Sequence, residues 1–218
     1  EQGADELLYM DVVASLYERN SLLDILEKTT NNIFIPITVG GGLRSIKDVA
    51  AILRAGADKV SINTAAIKDP NIITAISRKF GSQCMVLSIQ AKWQGSYWEA
   101  YYDNGREHSN LDVVEWAKKG EKLGAGEIIL TSVDKEGTTK GFDVELVKAV
   151  TDSVQIPVIA SGGMGEINDV DAVIKDGHAD AIAMAHVLHY NNLTIDNVRN
   201  HCANNNIPVR VYTLTEND

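Results

Sequence analysis

Two stretches of the chain are copies of one unit, an apolar run rich in β-branched residues that ends in a glycine turn. They are Ile35-Pro36-Ile37-Thr38-Val39-Gly40-Gly41-Gly42 and Ile156-Pro157-Val158-Ile159-Ala160-Ser161-Gly162-Gly163. Ile35 maps onto Ile156, a shift of 121 positions, and the same shift carries Gly3-Ala4-Asp5-Glu6-Leu7-Leu8 onto Gly124-Ala125-Gly126-Glu127-Ile128-Ile129. With one extra residue it also carries Ala55-Gly56-Ala57-Asp58-Lys59-Val60 onto Asp176-Gly177-His178-Ala179-Asp180-Ala181. Separate pieces in one register mark an internal duplication, so the fold must be pseudo-symmetric. A glycine turn lets backbone N–H groups approach an anion closely. The duplication therefore predicts two phosphate cradles and a ligand with a phosphate at each end. A single glycine pair reads rather as a tight turn; it is the repeat that favours anion binding.

Between these landmarks, short β-branched runs alternate with longer amphipathic stretches, the pattern of βα units around a parallel sheet. Strands are predicted at Leu7–Val12, Phe34–Val39, Lys59–Ile62, Met85–Ala91, Glu127–Thr131, Val158–Ala160 and Ala181–Ala183. Helices are predicted at Ser21–Thr30, Ser45–Ala55, Pro70–Phe80, Leu111–Leu123, Val144–Asp152, Ile167–Asp176 and Ile195–Asn204. Ser45, Asp69 before Pro70, and Asp143 carry helix-start chemistry. Tyr97–Tyr102 followed by Asn104-Gly105 reads as a β-hairpin inserted after the fifth strand of the full barrel. Seven βα units are visible in one domain spanning residues 1–218. The fold expected is an α/β, (β/α)8 barrel with half-barrel duplication, strands two to eight being present and the first βα unit falling before residue 1.

Composition excludes several classes. Hydrophobic residues make up 44% and charged residues 23%, which fits an ordinary globular chain and argues against disorder. The apolar stretch Ile182 to Leu188 contains His186 and falls far short of the roughly 18–20 residues that span a bilayer, so no membrane association is expected. A net charge of −10 with scattered basic residues argues against nucleic acid as a partner. Cys84 and Cys202 stand far apart without metal spacing and read as reduced thiols of a cytoplasmic protein. The five histidines form no ligand set, so neither a metal site nor a cofactor is expected.

In a barrel of this kind, the loops after the strands form the active face. Along them, Val39-Gly40-Gly41-Gly42-Leu43-Arg44, Ala57-Asp58-Lys59-Val60-Ser61-Ile62-Asn63-Thr64-Ala65-Ala66, Phe80-Gly81-Ser82-Gln83, Gly124-Ala125-Gly126-Glu127-Ile128 and Ala160-Ser161-Gly162-Gly163 together resemble the cyclase subunit family of imidazole glycerol phosphate synthase. The resemblance covers essentially the whole chain. It implies a barrel that receives ammonia from a glutaminase partner and uses it to cleave and cyclise a bis-phosphorylated ribonucleotide. The products would be imidazole glycerol phosphate and an aminoimidazole carboxamide ribonucleotide, in histidine biosynthesis. Substrate and phosphate contacts then fall on Gly41, Gly42, Asn63, Thr64, Gly137, Thr138, Ser161, Gly162, Gly163, Ala185 and His186.

The same resemblance implies two catalytic aspartates, on the first and fifth strands of the full barrel. The first would precede Glu1, and the second position is Gln90, within Ser88-Ile89-Gln90-Ala91-Lys92. An amide cannot titrate, so activity is expected to be weakened. Asp11, Asp134 and Glu136 are the nearest acids, with Glu136 standing where the resemblance leads to an Asp. His186 stands where a small hydroxyl residue is expected. On the opposite face, Glu6, Lys59 and Glu127 begin their strands, where inward charges must pair. They read either as a stabilising ion-pair ring or, by the resemblance, as an ammonia gate, with Asp58 beside them as a docking acid for the partner. Two other readings stay open: a non-catalytic, ammonia-conducting paralogue serving another amidotransfer such as surface-sugar amidination, favoured by Gln90, and a related isomerase barrel, disfavoured by the charged ring.

Overall fold

A computed structural model describes residues 3–11 and 21–210. The first four strands are β1 (Leu7–Met10), β2 (Ile37–Gly40), β3 (Lys59–Ile62) and β4 (Met85–Trp93). A hairpin of β5 (Trp98–Tyr102) and β6 (Glu107–Asp112) follows, then β7 (Glu127–Ser132), β8 (Val158–Ser161) and β9 (Ala181–Ala183). Seven strands pair in parallel in the order β1-β2-β3-β4-β7-β8-β9, and the hairpin extends from β4. Among the described residues, no pairing links β9 to β1. The predicted strand end at Val12 lies outside the described residues.

The sheet curls on itself, and one side chain shows it. Lys59 Nζ, at the start of β3, touches Glu6 Oε2 at 2.9 Å and Glu127 Oε2 at 3.0 Å. Glu6 precedes β1 and Glu127 begins β7, two strands away on either side. In a flat sheet their backbones would stand roughly 19 Å apart, too far for both carboxylates to meet one ammonium. The contact also fixes which face is inner. Strand alternation and register then place Thr38, Gly40, Ser61, Ser88, Gln90, Ile129 and Thr131 inside. Val39, Val60, Ile62, Leu87, Ile89, Ile128 and Leu130 face outward and are buried in the helical layer. Both strand faces are thus covered, as expected for a parallel barrel.

The principal helices are α1 (Ser21–Thr30), α2 (Ile46–Arg54), α3 (Thr64–Lys68), α4 (Asn71–Phe80), α5 (Val113–Leu123), α6 (Val144–Thr151), α7 (Asp169–Asp171, continued as a π-turn over Ala172–Asp176), α8 (His186–His189) and α9 (Ile195–Asn204). The short α3 and α8 were not anticipated. Three predicted boundaries shift for identifiable reasons. The second strand starts at Ile37, not Phe34, because Pro36 has no N–H and pairing opens with Leu7 N donating to Pro36 O; Phe34 is left 94% exposed. The helix expected from Leu111 starts at Val113, because Leu111 and Asp112 pair with Ala100 and Glu99, and Asp112 then caps the helix by accepting from Glu115 N. Regular helix begins at Asn71 after Pro70, although Asp69 Oδ1 still accepts from Asn71 N. The other two starts hold: Ser45 forms a reciprocal capping box with Asp48, and Asp143 accepts from Leu146 N.

The duplication reappears in the hydrogen bonds. Leu7 and Met10 pair with Ile37 and Gly40; 121 positions on, Ile128 and Thr131 pair with Val158 and Ser161. Ile37 N donates to Asp58 Oδ2 at 2.8 Å, and Val158 N to Asp180 Oδ2 at 2.9 Å. Arg44 N and Ser45 N both donate to Asp48 Oδ2, as Gly165 N and Glu166 N do to Asp169 Oδ2. Thr30 Oγ1 reaches Ala55 O and Thr151 Oγ1 reaches Gly177 O. The Asp48/Asp169 and Thr30/Thr151 pairs were not singled out from the sequence, although the same shift predicts them.

Candidate active site

On the face formed by the strand ends lies a cleft of about 720 Å³. Its wall runs from Asp11 and Gly41–Arg44 across Ser61, Asn63 and Thr64 to Gln90, and the hairpin residues Asp103 and Asn104 close one side. The first glycine turn is built for close approach. A Cβ on Gly41, whose φ is +96°, would stand 2.1 Å from the carbonyl oxygen of Asp11. Asp11 N in turn donates to Gly40 O at 2.9 Å. The hairpin is latched to α3 beside this turn: Asp103 N donates to Thr64 Oγ1 at 3.1 Å, and Lys68 Nζ stands 5.7 Å from the centroid of the Tyr102 ring.

Of the residues predicted for the site, Asp11, Gly41, Gly42, Asn63, Thr64 and Gln90 come together here. The helix start behind them contributes less than expected to an anion, because Asp48 already takes the N–H groups of Arg44 and Ser45. Gln90 is held by Asn63, whose Nδ2 donates to Gln90 Oε1 at 3.0 Å and to Tyr101 O at 3.1 Å. Ser61 and Ser88 form the buried floor, and Ser61 Oγ has no hydrogen-bond partner among the described residues.

The remaining candidates lie elsewhere. Glu136, Gly137, Thr138, Ser161, Gly162, Gly163, Ala185 and His186 do not line this cleft. They belong to the second half, where the loop after β7 rests on the glycine turn: a Cβ on Gly163 would stand 2.2 Å from Gly141 O, and Gly141 N donates to Gly163 O at 2.9 Å. Asp11 corresponds to Ser132 under the duplication, and Gly162 packs against the Ser132 carbonyl as Gly41 does against that of Asp11. Asn63 and Thr64 correspond to Ala185 and His186, so the two halves share a frame but not their polar groups. His186 stacks at 4.6 Å on Tyr190. Asp134 does not line this cleft; it is exposed and accepts from Trp93 N at 2.8 Å, anchoring the root of the hairpin.

Glu99 was not anticipated. It is buried, accepts from Asn110 N at 2.7 Å and meets His108 Nδ1 at 3.0 Å. Burial works against its charge, but the bonds from His108 and Asn110 outweigh it and hold the carboxyl below the usual range. A glutamate within an aromatic hairpin sequence carries no signal of this. Trp93 and Trp98 form a cross-strand pair with centroids 4.7 Å apart, packing one face of the hairpin.

At the other end of the barrel, Lys59, Glu127 and Glu6 form the expected ring, with side-chain exposures of 20%, 17% and 45%. Desolvation opposes the Lys59 charge, yet the bonds to Glu6 and Glu127 prevail and raise its pKa above 10.5. Because the folded value is raised, this contribution is fully present at neutral pH and is lost only as pH climbs through the folded pKa. Lys59→Met is expected to lower stability by about 1–2 kcal/mol in denaturant titrations at pH 7, the partial exposure moderating the cost of stranding Glu127. The deficit should shrink as pH climbs beyond the ordinary lysine range. Asp58 is not a bare surface charge, since it clamps the start of β2 as Asp180 clamps β8. Asp58→Ala and Asp180→Ala are each expected to cost about 1 kcal/mol. Clearly unequal losses in thermal unfolding would refute this shared role.

Residues 1–194 match the family model described as histidine biosynthesis protein. The chain belongs to this histidine biosynthesis family. Within it, the chain is 64% identical over 169 residues to a protein of Legionella pneumophila named imidazole glycerol phosphate synthase subunit HisF, covering 77% of this chain and 80% of that one. Proteins of the same name from Methanocaldococcus jannaschii and a Nostoc species are 47% and 44% identical, covering 97% and 98% of this chain and 85% and 84% of theirs. Among the described residues, no helix is long and apolar enough to cross a membrane, and no three of His, Cys, Asp and Glu gather as a metal ligand set. Cys84 and Cys202 are free thiols, and burial raises the pKa of each.

Proposed function

We propose that the chain is the cyclase subunit of a glutamine-dependent imidazole glycerol phosphate synthase. It takes ammonia from a glutaminase subunit docked at the Lys59 end and delivers it to a bis-phosphorylated ribonucleotide held at the Gly41–Thr64 end. The observation that carries this reading is the vertical order of the barrel interior. The Lys59–Glu6–Glu127 ring lies at the bottom, and Ser61 and Ser88 form the cleft floor above it. Ser61 is two residues beyond Lys59 on the same strand face, a rise of roughly 7 Å. Small hydroxyl side chains there offer a neutral amine hydrogen-bond partners between ring and cleft, whereas a barrel core is more often filled by bulky branched residues. In the cleft, the Gly41-Gly42 turn and Thr64 would hold one phosphate; the Gly162-Gly163 turn, which lies outside the cleft in the second half, would hold the other.

The test supplies the ribonucleotide intermediate with an ammonium salt and follows imidazole glycerol phosphate. Gln90 favours a second outcome: substrate binding without turnover, which would mark the chain as an ammonia conduit for another acceptor. Failure to bind any phosphorylated ligand would sink both.

A further inference from the structure

We propose that Glu99, which does not line the cleft, is a positioning residue for it: it braces the hairpin so that the Tyr101 carbonyl stays within reach of the Asn63 amide. The inference rests on the proposed function for its ligand alone. Strand β3 pairs with β4 through Val60–Ile62, and β5 takes over as the neighbour of β4 from Trp98 to Tyr101. Asn63 caps this hand-over, donating from Nδ2 to Tyr101 O at 3.1 Å and to Gln90 Oε1 at 3.0 Å. A main-chain carbonyl can only accept, so Tyr101 sets which way the Asn63 amide faces and, through it, that of Gln90. That part of the cleft wall is therefore only as well placed as Tyr101.

Tyr101 stands at an irregularity. The register of β5 with β6 shifts between Ala100, which pairs with Leu111, and Tyr101, which pairs with His108. Ser109 and Asn110 are left as a bulge on β6, and Asn110 has a φ of +59°, in the left-handed region. Side chains stitch this bulge together. Ser109 Oγ donates to Ala100 O and accepts from Leu111 N, while Glu99 Oε1 accepts from Asn110 N at 2.7 Å. The other Glu99 oxygen meets His108 Nδ1 at 3.0 Å, and the His108 ring lies against Tyr101 with centroids 4.6 Å apart. One carboxylate thus holds both the bulged residue and the residue opposite Tyr101. Glu99 is only 3% exposed. Burying a carboxylate is costly, and an apolar side chain of similar size often packs such a place at least as well. Stability alone does not account for an acid here; fixing the bulge, and with it the Tyr101 carbonyl, does.

A double-mutant cycle on the full chain tests this, reading affinity for the bis-phosphorylated ribonucleotide by calorimetry. Glu99→Ala is expected to weaken binding about tenfold in the wild-type background and less than about twofold in an Asn63→Ala background. Glu99→Gln keeps an acceptor for Asn110 N and offers a donor to His108 Nδ1, so it should bind within about threefold of the wild type. Equal weakening in the two backgrounds overturns the inference, because a purely structural residue would act without Asn63. Unchanged affinity in Glu99→Ala overturns it as well. Should Glu99→Ala fail to fold, His108→Ala takes its place in the same cycle, removing only the exposed half of the pair. If the wild-type chain binds no ribonucleotide, the proposed function falls, and the Asn63 side-chain amide resonance decides the positioning role separately. It should shift and exchange faster with water in Glu99→Ala but not in Glu99→Gln, and a resonance unmoved by Glu99→Ala overturns the role.

Discussion

Gln90→Asp is expected to raise the rate of ring closure with ammonium as nitrogen source by about 10²–10⁴. The wild-type residue cannot exchange a proton, and its carbonyl oxygen is already taken by Asn63. An aspartate at the same strand position keeps an acceptor for Asn63 Nδ2 and adds a titratable oxygen facing the cleft that Asp11 also lines. The pair would then place two carboxylates on one ligand, the arrangement that general acid/base chemistry needs. Single-turnover formation of imidazole glycerol phosphate by the two proteins, at matched substrate saturation, measures the gain. A variant that binds substrate as the wild type does and turns over no faster would remove position 90 from the proton-transfer path.

Gly41→Ala carries the second large effect, and it acts on stability and binding together. The new Cβ would stand 2.1 Å from Asp11 O, a backbone atom that cannot swing aside. The residue would also be locked at φ +96°, which L side chains rarely adopt. Strain and overpacking together are expected to cost about 3 kcal/mol, lowering the thermal midpoint by roughly 6–12 °C in a chain of this size. Phosphate affinity should fall with it, because relief can come only by parting the β1 and β2 ends that shape the cradle. Gly105→Ala serves as the comparison: its φ is also positive, but its nearest neighbour is the flexible Val133 side chain at 3.3 Å. A midpoint for Gly41→Ala no lower than that of Gly105→Ala would show that the turn tolerates a side chain.

Much of the fold could be read from the chain because βα units are local. Apolar periodicity placed every parallel strand, and the 121-position shift aligned Ile37 with Val158 and, with one extra residue in the second copy, Asp58 with Asp180 before any contact was known. Boundaries failed where a non-local partner set them, as at Leu111, which pairs with Ala100 rather than starting the helix. Residues that line the cleft together were legible where they sit in a short motif, as in Gly41-Gly42 and Asn63-Thr64. Those depending on another segment were not. Asp134 looked like a free acid until Trp93 N was found on it, and Glu99 gave no sign of its burial.

Sequence alone settled the parallel βα architecture, its internal duplication, the glycine turns and the presence of an amide that cannot titrate at position 90, because each depends on residue type and spacing along the chain. The tertiary structure decided which copies remain equivalent and what each polar group faces. It showed that Asp48 takes the N–H groups left over for an anion, that Lys59 closes a ring with two carboxylates from distant strands, and that Tyr101 fixes the amides of Asn63 and Gln90. Hydrogen-bond direction depends on partners brought together across the barrel, and a linear pattern does not carry that information.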